Sequence, residues 1–77
     1  MQIKMYTKCY CSFCNAAKTL LAKRGLAFEE ISLSGNALAD QEMRDLTGSS
    51  SVPQILINNR PIGGYTELLA MDMDDEL

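Results

Sequence analysis

Ile3-Lys4-Met5-Tyr6-Thr7, followed by Lys8-Cys9-Tyr10-Cys11-Ser12-Phe13-Cys14, is the stretch on which the fold turns. Ile3 to Thr7 reads as a strand. From Ser12 to Arg24 the apolar residues Phe13, Ala17, Leu20 and Leu21 recur at helical spacing, and Gly25 supplies the stop. Cys11 therefore falls at a helix N-cap and Cys14 in the first turn. A helix N-terminus offers unpaired N–H groups and the positive end of the macrodipole, both of which favour an anion. The thiolate is the attacking form of cysteine, and helix N-termini and neighbouring cations lower its pKa by roughly one to five units. Lys8 adds a cation on the approach loop. In this setting Cys-x-x-Cys reads as a dithiol redox site. Cys11 attacks a disulfide sulfur, and the more shielded Cys14 resolves the mixed disulfide by attacking Cys11.

Two structural uses of the cysteines compete with that reading. Structural zinc takes four Cys or His ligands, whereas this chain has 3 cysteines and no histidine, so one chain cannot close such a site. A structural disulfide fits small secreted domains with an even set of spaced cysteines and an export segment, and neither is seen here. At 77 residues and 47% hydrophobic composition, one small domain spanning 1-77 is expected, with a single thin core. A net charge of −3 argues against nucleic acid or an anionic membrane as the main partner. No run approaches transmembrane length. The acidic run Asp72-Met73-Asp74-Asp75-Glu76 reads as a solvated helix end, frayed because acids oppose the dipole there.

The remaining elements alternate. Ala27 to Ile31 or Leu33 is a second strand. Ser34-Gly35-Asn36 turns and caps a helix carrying Ala39, Met43 and Leu46, which Gly48 ends. Gln54-Ile55-Leu56-Ile57 and Arg60-Pro61-Ile62 flank Asn58-Asn59, a pair that tolerates positive φ, and so read as a hairpin whose Pro61 strand lies at an edge. A last helix begins near Thr66 with Leu68 and Leu69. The order βαβαββα predicts an α/β fold, a four-stranded mixed sheet flanked by three helices, with the thiols beyond a strand's carboxyl end, where open sheets place ligands. Pro53 leads its strand and pushes Val52 toward extended geometry, freeing the Val52 backbone for a peptide-like ligand; alternatively, Pro53 only shapes a turn. Gly63-Gly64 permits close backbone approach ahead of a helix start at Tyr65 and Thr66 that suits a carboxylate, or is a plain turn with Thr66 as N-cap.

Met5-Tyr6-Thr7-Lys8, Cys11 to Cys14, Ser51-Val52-Pro53-Gln54 and Ile62-Gly63-Gly64-Tyr65 together resemble, in order and spacing, the glutaredoxins over nearly the whole chain. The resemblance implies a thioredoxin-like fold and glutathione-dependent reduction of protein disulfides and glutathione mixed disulfides. It implies Cys11 as nucleophile and Cys14 as resolving thiol. For glutathione it implies contacts at Lys8, Cys11, Phe13, Val52, Pro53, Gly64, Tyr65 and Thr66, with Phe13 where tyrosine is usual, Lys8 meeting a carboxylate and Pro53 preceded by a cis bond. Its expected partners are glutathione as cosubstrate and disulfide-bonded or glutathionylated proteins.

Departures from the family pattern open alternatives. Ser12 stands where proline is common, and some relatives with serine there share a [2Fe–2S] cluster between two subunits through the nucleophilic cysteine, which here is Cys11. A cluster carrier or sensor acting as a dimer is thus one alternative, and without a cluster a monomer is expected with no metal. Another is an electron donor to ribonucleotide reductase recharged by thioredoxin reductase. Thr66 replaces a common aspartate, removing the charge opposite the glutathione ammonium. Ser49 and Ser50 replace polar or basic residues, leaving Lys8 a larger share of the carboxylate contact. Cys9 is an extra thiol, read as a spectator or as a competitor for Cys11. Thiol use and the lack of an export segment predict a cytoplasmic protein.

Overall fold

The computed structural model describes all 77 residues. Strand β1 (Ile3–Thr7) leads into helix α1 (Ser12–Lys23), then β2 (Glu29–Ser32), α2 (Ala37–Thr47), the hairpin β3 (Gln54–Ile57) and β4 (Arg60–Gly63), and α3 (Tyr65–Met73). The sheet order is β2-β1-β3-β4, with β2 parallel to β1 and the other two pairs antiparallel. This is the expected mixed sheet, with β1 inside it and the Pro61 strand at an edge. Asn58 (φ 52) and Asn59 (φ 66) form the two-residue turn, the pair of positive φ values that matches strand twist in a tight hairpin.

Alternation along β1 and β3 explains the layers. Ile3, Met5, Ile55 and Ile57 point to one face, where Ala17 and Leu21 of α1 and Leu68 of α3 complete a cluster of 7 buried residues. Tyr6 and Leu56 point to the other, packing with Leu33, Ala39 and Met43 in a cluster of 5. The single thin core expected from composition is therefore two thin layers with the sheet between them. Truncating Leu21, which is fully buried, to alanine costs about 2–5 kcal/mol.

Several expectations shift by a residue or a face. The second strand begins at Glu29, because β1 supplies ladder partners only from Lys4, opposite Glu29, to Thr7, opposite Ser32; one further bond runs from the Leu33 N–H to the Thr7 carbonyl. Leu46, expected on the buried face of α2, is 48% exposed, since Ala39 and Met43 define the stripe that faces the sheet. Phe13 likewise leaves the buried stripe of α1, which is Cys14, Ala17 and Leu21, and is 61% exposed. The last helix starts at Tyr65 with Gly64 as N-cap, so Thr66 is not the cap. The acidic tail is not simply frayed. The Asp72 carboxylate accepts from the Arg24 guanidinium at the end of α1, and Leu77 packs against the larger cluster.

Cross-links tie β1 to its neighbours near its carboxyl end. The Tyr6 hydroxyl donates to Glu42 of α2 at 2.8 Å. The Thr7 hydroxyl and the Lys18 ammonium both donate to Glu30 Oε2, at 2.8 and 2.9 Å. Those two contacts, Lys18 foremost, hold the Glu30 carboxyl below its ordinary range. The end of the sheet that carries the thiols is thus fixed from both faces.

Candidate active site

Between β1 and α1 the chain must turn within Lys8-Cys9-Tyr10, and it does so with Tyr10 at φ 57. Cys11 then caps α1 in extended conformation (φ −107, ψ 108), its Sγ accepting the Cys14 N–H at 3.2 Å. The sulfur thus takes the place that a capping oxygen holds at other helix starts. In the thiol form, Sγ lies 4.0 Å from the Val52 carbonyl across the site. Cys11 is half-buried, whereas Cys14 is 1% exposed. Burial, and secondarily the hydrogen bond with Cys11, pushes the Cys14 thiol up to about 11; a Lys8 backbone contact and the Lys18 charge pull the other way without overcoming them. Cys14 is therefore a neutral thiol at pH 7, while Cys11 meets solvent. Cys9 is exposed and engaged by Ser34 of the β2–α2 turn, which accepts the Cys9 N–H at 3.1 Å and donates to its sulfur at 3.2 Å.

Opposite the thiols runs the loop before β3. Val52–Pro53 is a cis peptide, with Pro53 buried and Val52 half-buried. Gly64 approaches it so closely that a Cβ at residue 64 would lie 3.1 Å from the Pro53 carbonyl oxygen. Gly63 has φ 111, and a Cβ there would stand 2.8 Å from the folded-back side chain of Glu67. As N-cap, Gly64 has no side chain to satisfy the first N–H groups of α3, which remain open to the site.

The cis-proline loop, the β4–α3 junction and Phe13 line an open cavity of about 440 Å³. Of the residues singled out in the sequence, Phe13, Val52, Pro53, Gly64, Tyr65 and Thr66 line it together, with the Phe13 and Tyr65 rings 6.1 Å apart. Cys11 meets its rim through Val52. Lys8 is exposed and not part of the lining. Ser49, Ser51, Gln54 and Gly63 of the same sequence segments line the cavity too, the Gln54 amide donating to the Ser49 and Ser51 hydroxyls at 3.3 and 3.2 Å, and the structure adds Thr47 and Glu67. Glu67 is the one charged lining residue. An acid in the first turn of a helix has an ordinary partner in the dipole, which conceals any other role in the sequence.

A capping thiol backed by a neutral buried thiol, facing a cis-proline loop across an open helix start, belongs to the thiol–disulfide oxidoreductases of thioredoxin-like fold. Comparison with known proteins narrows the class. The glutaredoxin family model matches residues 3–62, and the chain belongs to the glutaredoxin family. Glutaredoxin 3 of Escherichia coli (strain K12) is 41% identical over 70 residues, 91% of this chain and 84% of that protein. A glutaredoxin of Neisseria meningitidis serogroup A is 37% identical over 76 residues, 97% of this chain and 89% of its own. Among solved structures, a buckwheat glutaredoxin–glutathione complex superposes with TM-score 0.86 at 26% identity, covering 97% of this chain and 71% of that one.

Proposed function

We propose that this glutaredoxin uses glutathione to reduce glutathione mixed disulfides and protein disulfides, with Cys11 as nucleophile and Cys14 as resolving thiol. The observation that carries the proposal is the asymmetric thiol pair: Cys11 half-exposed beside the cavity, Cys14 buried and held neutral behind it. The Cys11 thiolate attacks the glutathionyl sulfur of a mixed disulfide, the S–S bond breaks, and the protein leaves as a thiolate that takes a proton from solvent. A second glutathione thiolate then attacks the glutathionyl sulfur on Cys11, releasing oxidised glutathione and restoring the Cys11 thiolate. With a protein disulfide, Cys14 instead loses its proton and attacks Cys11, freeing the second substrate thiol and leaving a Cys11–Cys14 disulfide for two glutathiones to reduce.

The cavity supports glutathione as the cosubstrate. The Val52 backbone suits the peptide of its cysteinyl residue, and the open N–H groups of Tyr65 and Thr66 suit the γ-glutamyl carboxylate. Glu67, the charged residue of the lining, is suited to the ammonium and to replacing the charge missing at Thr66. Lys8, exposed on the adjacent loop, is the cation suited to the glycyl carboxylate. A reducing cytoplasmic setting suits an accessible thiol of this kind.

The test is glutathione-coupled turnover of a small glutathione mixed disulfide by the parent, Cys11→Ser and Cys14→Ser proteins. Activity lost in the first and kept in the second is the expected result. No turnover in the parent overturns the reading and moves the search to thioredoxin reductase as electron source and to cluster binding. For the cluster each chain presents one suitably placed thiol, Cys11, so two chains and glutathione thiolates would have to close it, and brown absorbance after anaerobic reconstitution would report it.

A further inference from the structure

Tyr10 is the one residue whose side chain and backbone disagree. Its backbone is in the left-handed region at φ 57, where a bulky side chain is unfavourable and Asn or Gly is at ease. The β1–α1 turn explains that conformation but not the tyrosine. The ring has no role in the fold, since it is 105% exposed and belongs to neither apolar cluster. It stands immediately before Cys11 and outside the cavity that Phe13 and Tyr65 help to line. An outlier held against local preference, next to a reactive sulfur, points to a contact made with something else.

We propose that Tyr10 is a specificity residue for the polypeptide half of a mixed disulfide, an inference that rests on the glutathione reading above. A mixed disulfide has two unequal halves joined at the sulfur that Cys11 attacks. The glutathionyl half occupies the cavity between Phe13, Val52 and Thr66. The polypeptide half has no place in that space and lies across the rim, where Cys9 and Tyr10, exposed and next to Cys11 in the chain, offer surface that the glutathionyl half does not use. A rigid exposed ring there gives an extended segment apolar area and a hydroxyl partner at small entropic cost, as aromatic anchors do at interfaces. A small disulfide without a polypeptide half does not reach the ring. Tyr10 thus separates protein substrates from small ones, and acts on KM for the former.

The experiment compares the parent with Tyr10→Asn, which keeps the positive φ and removes the ring, and with Tyr10→Phe. Substrates are the mixed disulfide of glutathione with 2-mercaptoethanol and a short unstructured peptide with one glutathionylated cysteine beside leucine. Tyr10→Asn is expected to raise KM for the peptide about fivefold at steady kcat and leave the small substrate within about twofold, with Tyr10→Phe close to the parent. Equal losses on both substrates, or no loss on either, overturn the proposal. A second measurement needs no turnover: calorimetric affinity of the glutathionylated peptide for Cys11→Ser protein, with and without Tyr10→Asn. Weakening of about fivefold supports the role of Tyr10 and unchanged affinity overturns it, even if the parent fails on the small substrate and the glutathione reading falls.

Discussion

Helices α1 and α2 begin with the same device and use it differently. Asn36 caps α2 by accepting the N–H of Ala39 at 3.1 Å, and Cys11 caps α1 by accepting the N–H of Cys14 at 3.2 Å. In both, the N-cap side chain satisfies the amide three residues on. Oxygen in that position closes the helix end and does nothing further. Sulfur in that position fills the same capping place and is, unlike oxygen, able to exchange with a disulfide. Helix α3 extends the series, because its Gly64 cap has no side chain and leaves its N–H groups to a ligand. On the proposed function, three helix starts serve stability, reactivity and binding, according to the atom at the N-cap.

Exchanging that atom gives the largest expected effect. Cys11→Ser should cut turnover at least about a thousandfold, as loss of a nucleophile does, with stability held within about 0.5 kcal/mol because serine is a good N-cap. Turnover assays beside denaturant melts check both, and a large stability loss would mean that the sulfur cap was structural. Next comes the third helix start. Gly64→Ala sets a methyl against the Pro53 carbonyl oxygen and should raise KM for glutathione roughly tenfold by parting the cavity walls. Lys8→Ala should raise the same constant about fivefold, the value of one exposed ionic contact of ~1 kcal/mol, and an unchanged constant would remove Lys8 from the site.

Asn36→Ala tests the purely structural cap: a loss of about 1 kcal/mol in chemical denaturation, with turnover per folded molecule unchanged. The effect smallest at neutral pH belongs to the interior, where Tyr6 is raised to about 12 and Cys14 to about 11 from ordinary values of 10.0 and 9.0. For both, folding favours the protonated form. Their contribution is complete below pH 9 and is lost as pH rises through 9 to 12. Denaturation midpoints should fall across that window, and Tyr6→Phe should flatten the upper part of the fall.

Much of this was legible because the residues concerned leave few alternatives. Cys11 and Cys14 at a strand-to-helix junction, proline leading β3, paired asparagines between strands and paired glycines before α3 each restrict the backbone or carry unusual chemistry. Residues with an ordinary explanation stayed hidden. Glu67 passes for a first-turn acid, and Phe13 for a member of the buried stripe. Leu46 matches the α2 period but lies past the edge of the sheet. The two core layers were not visible in composition, because β1 and β3 feed apolar residues to both faces at once.

The outer strands bear on how this molecule coexists with others. Both are four residues long, one carrying Pro61 and the other opened by Glu29, whose side chain faces solvent. Short, charged or proline-bearing margins resist the addition of a foreign strand. A neighbouring protein with an unpaired strand finds little to grip along the flanks. Encounters that last are thereby steered to the one end where a covalent bond can form, and such a bond is undone by the next thiol to arrive.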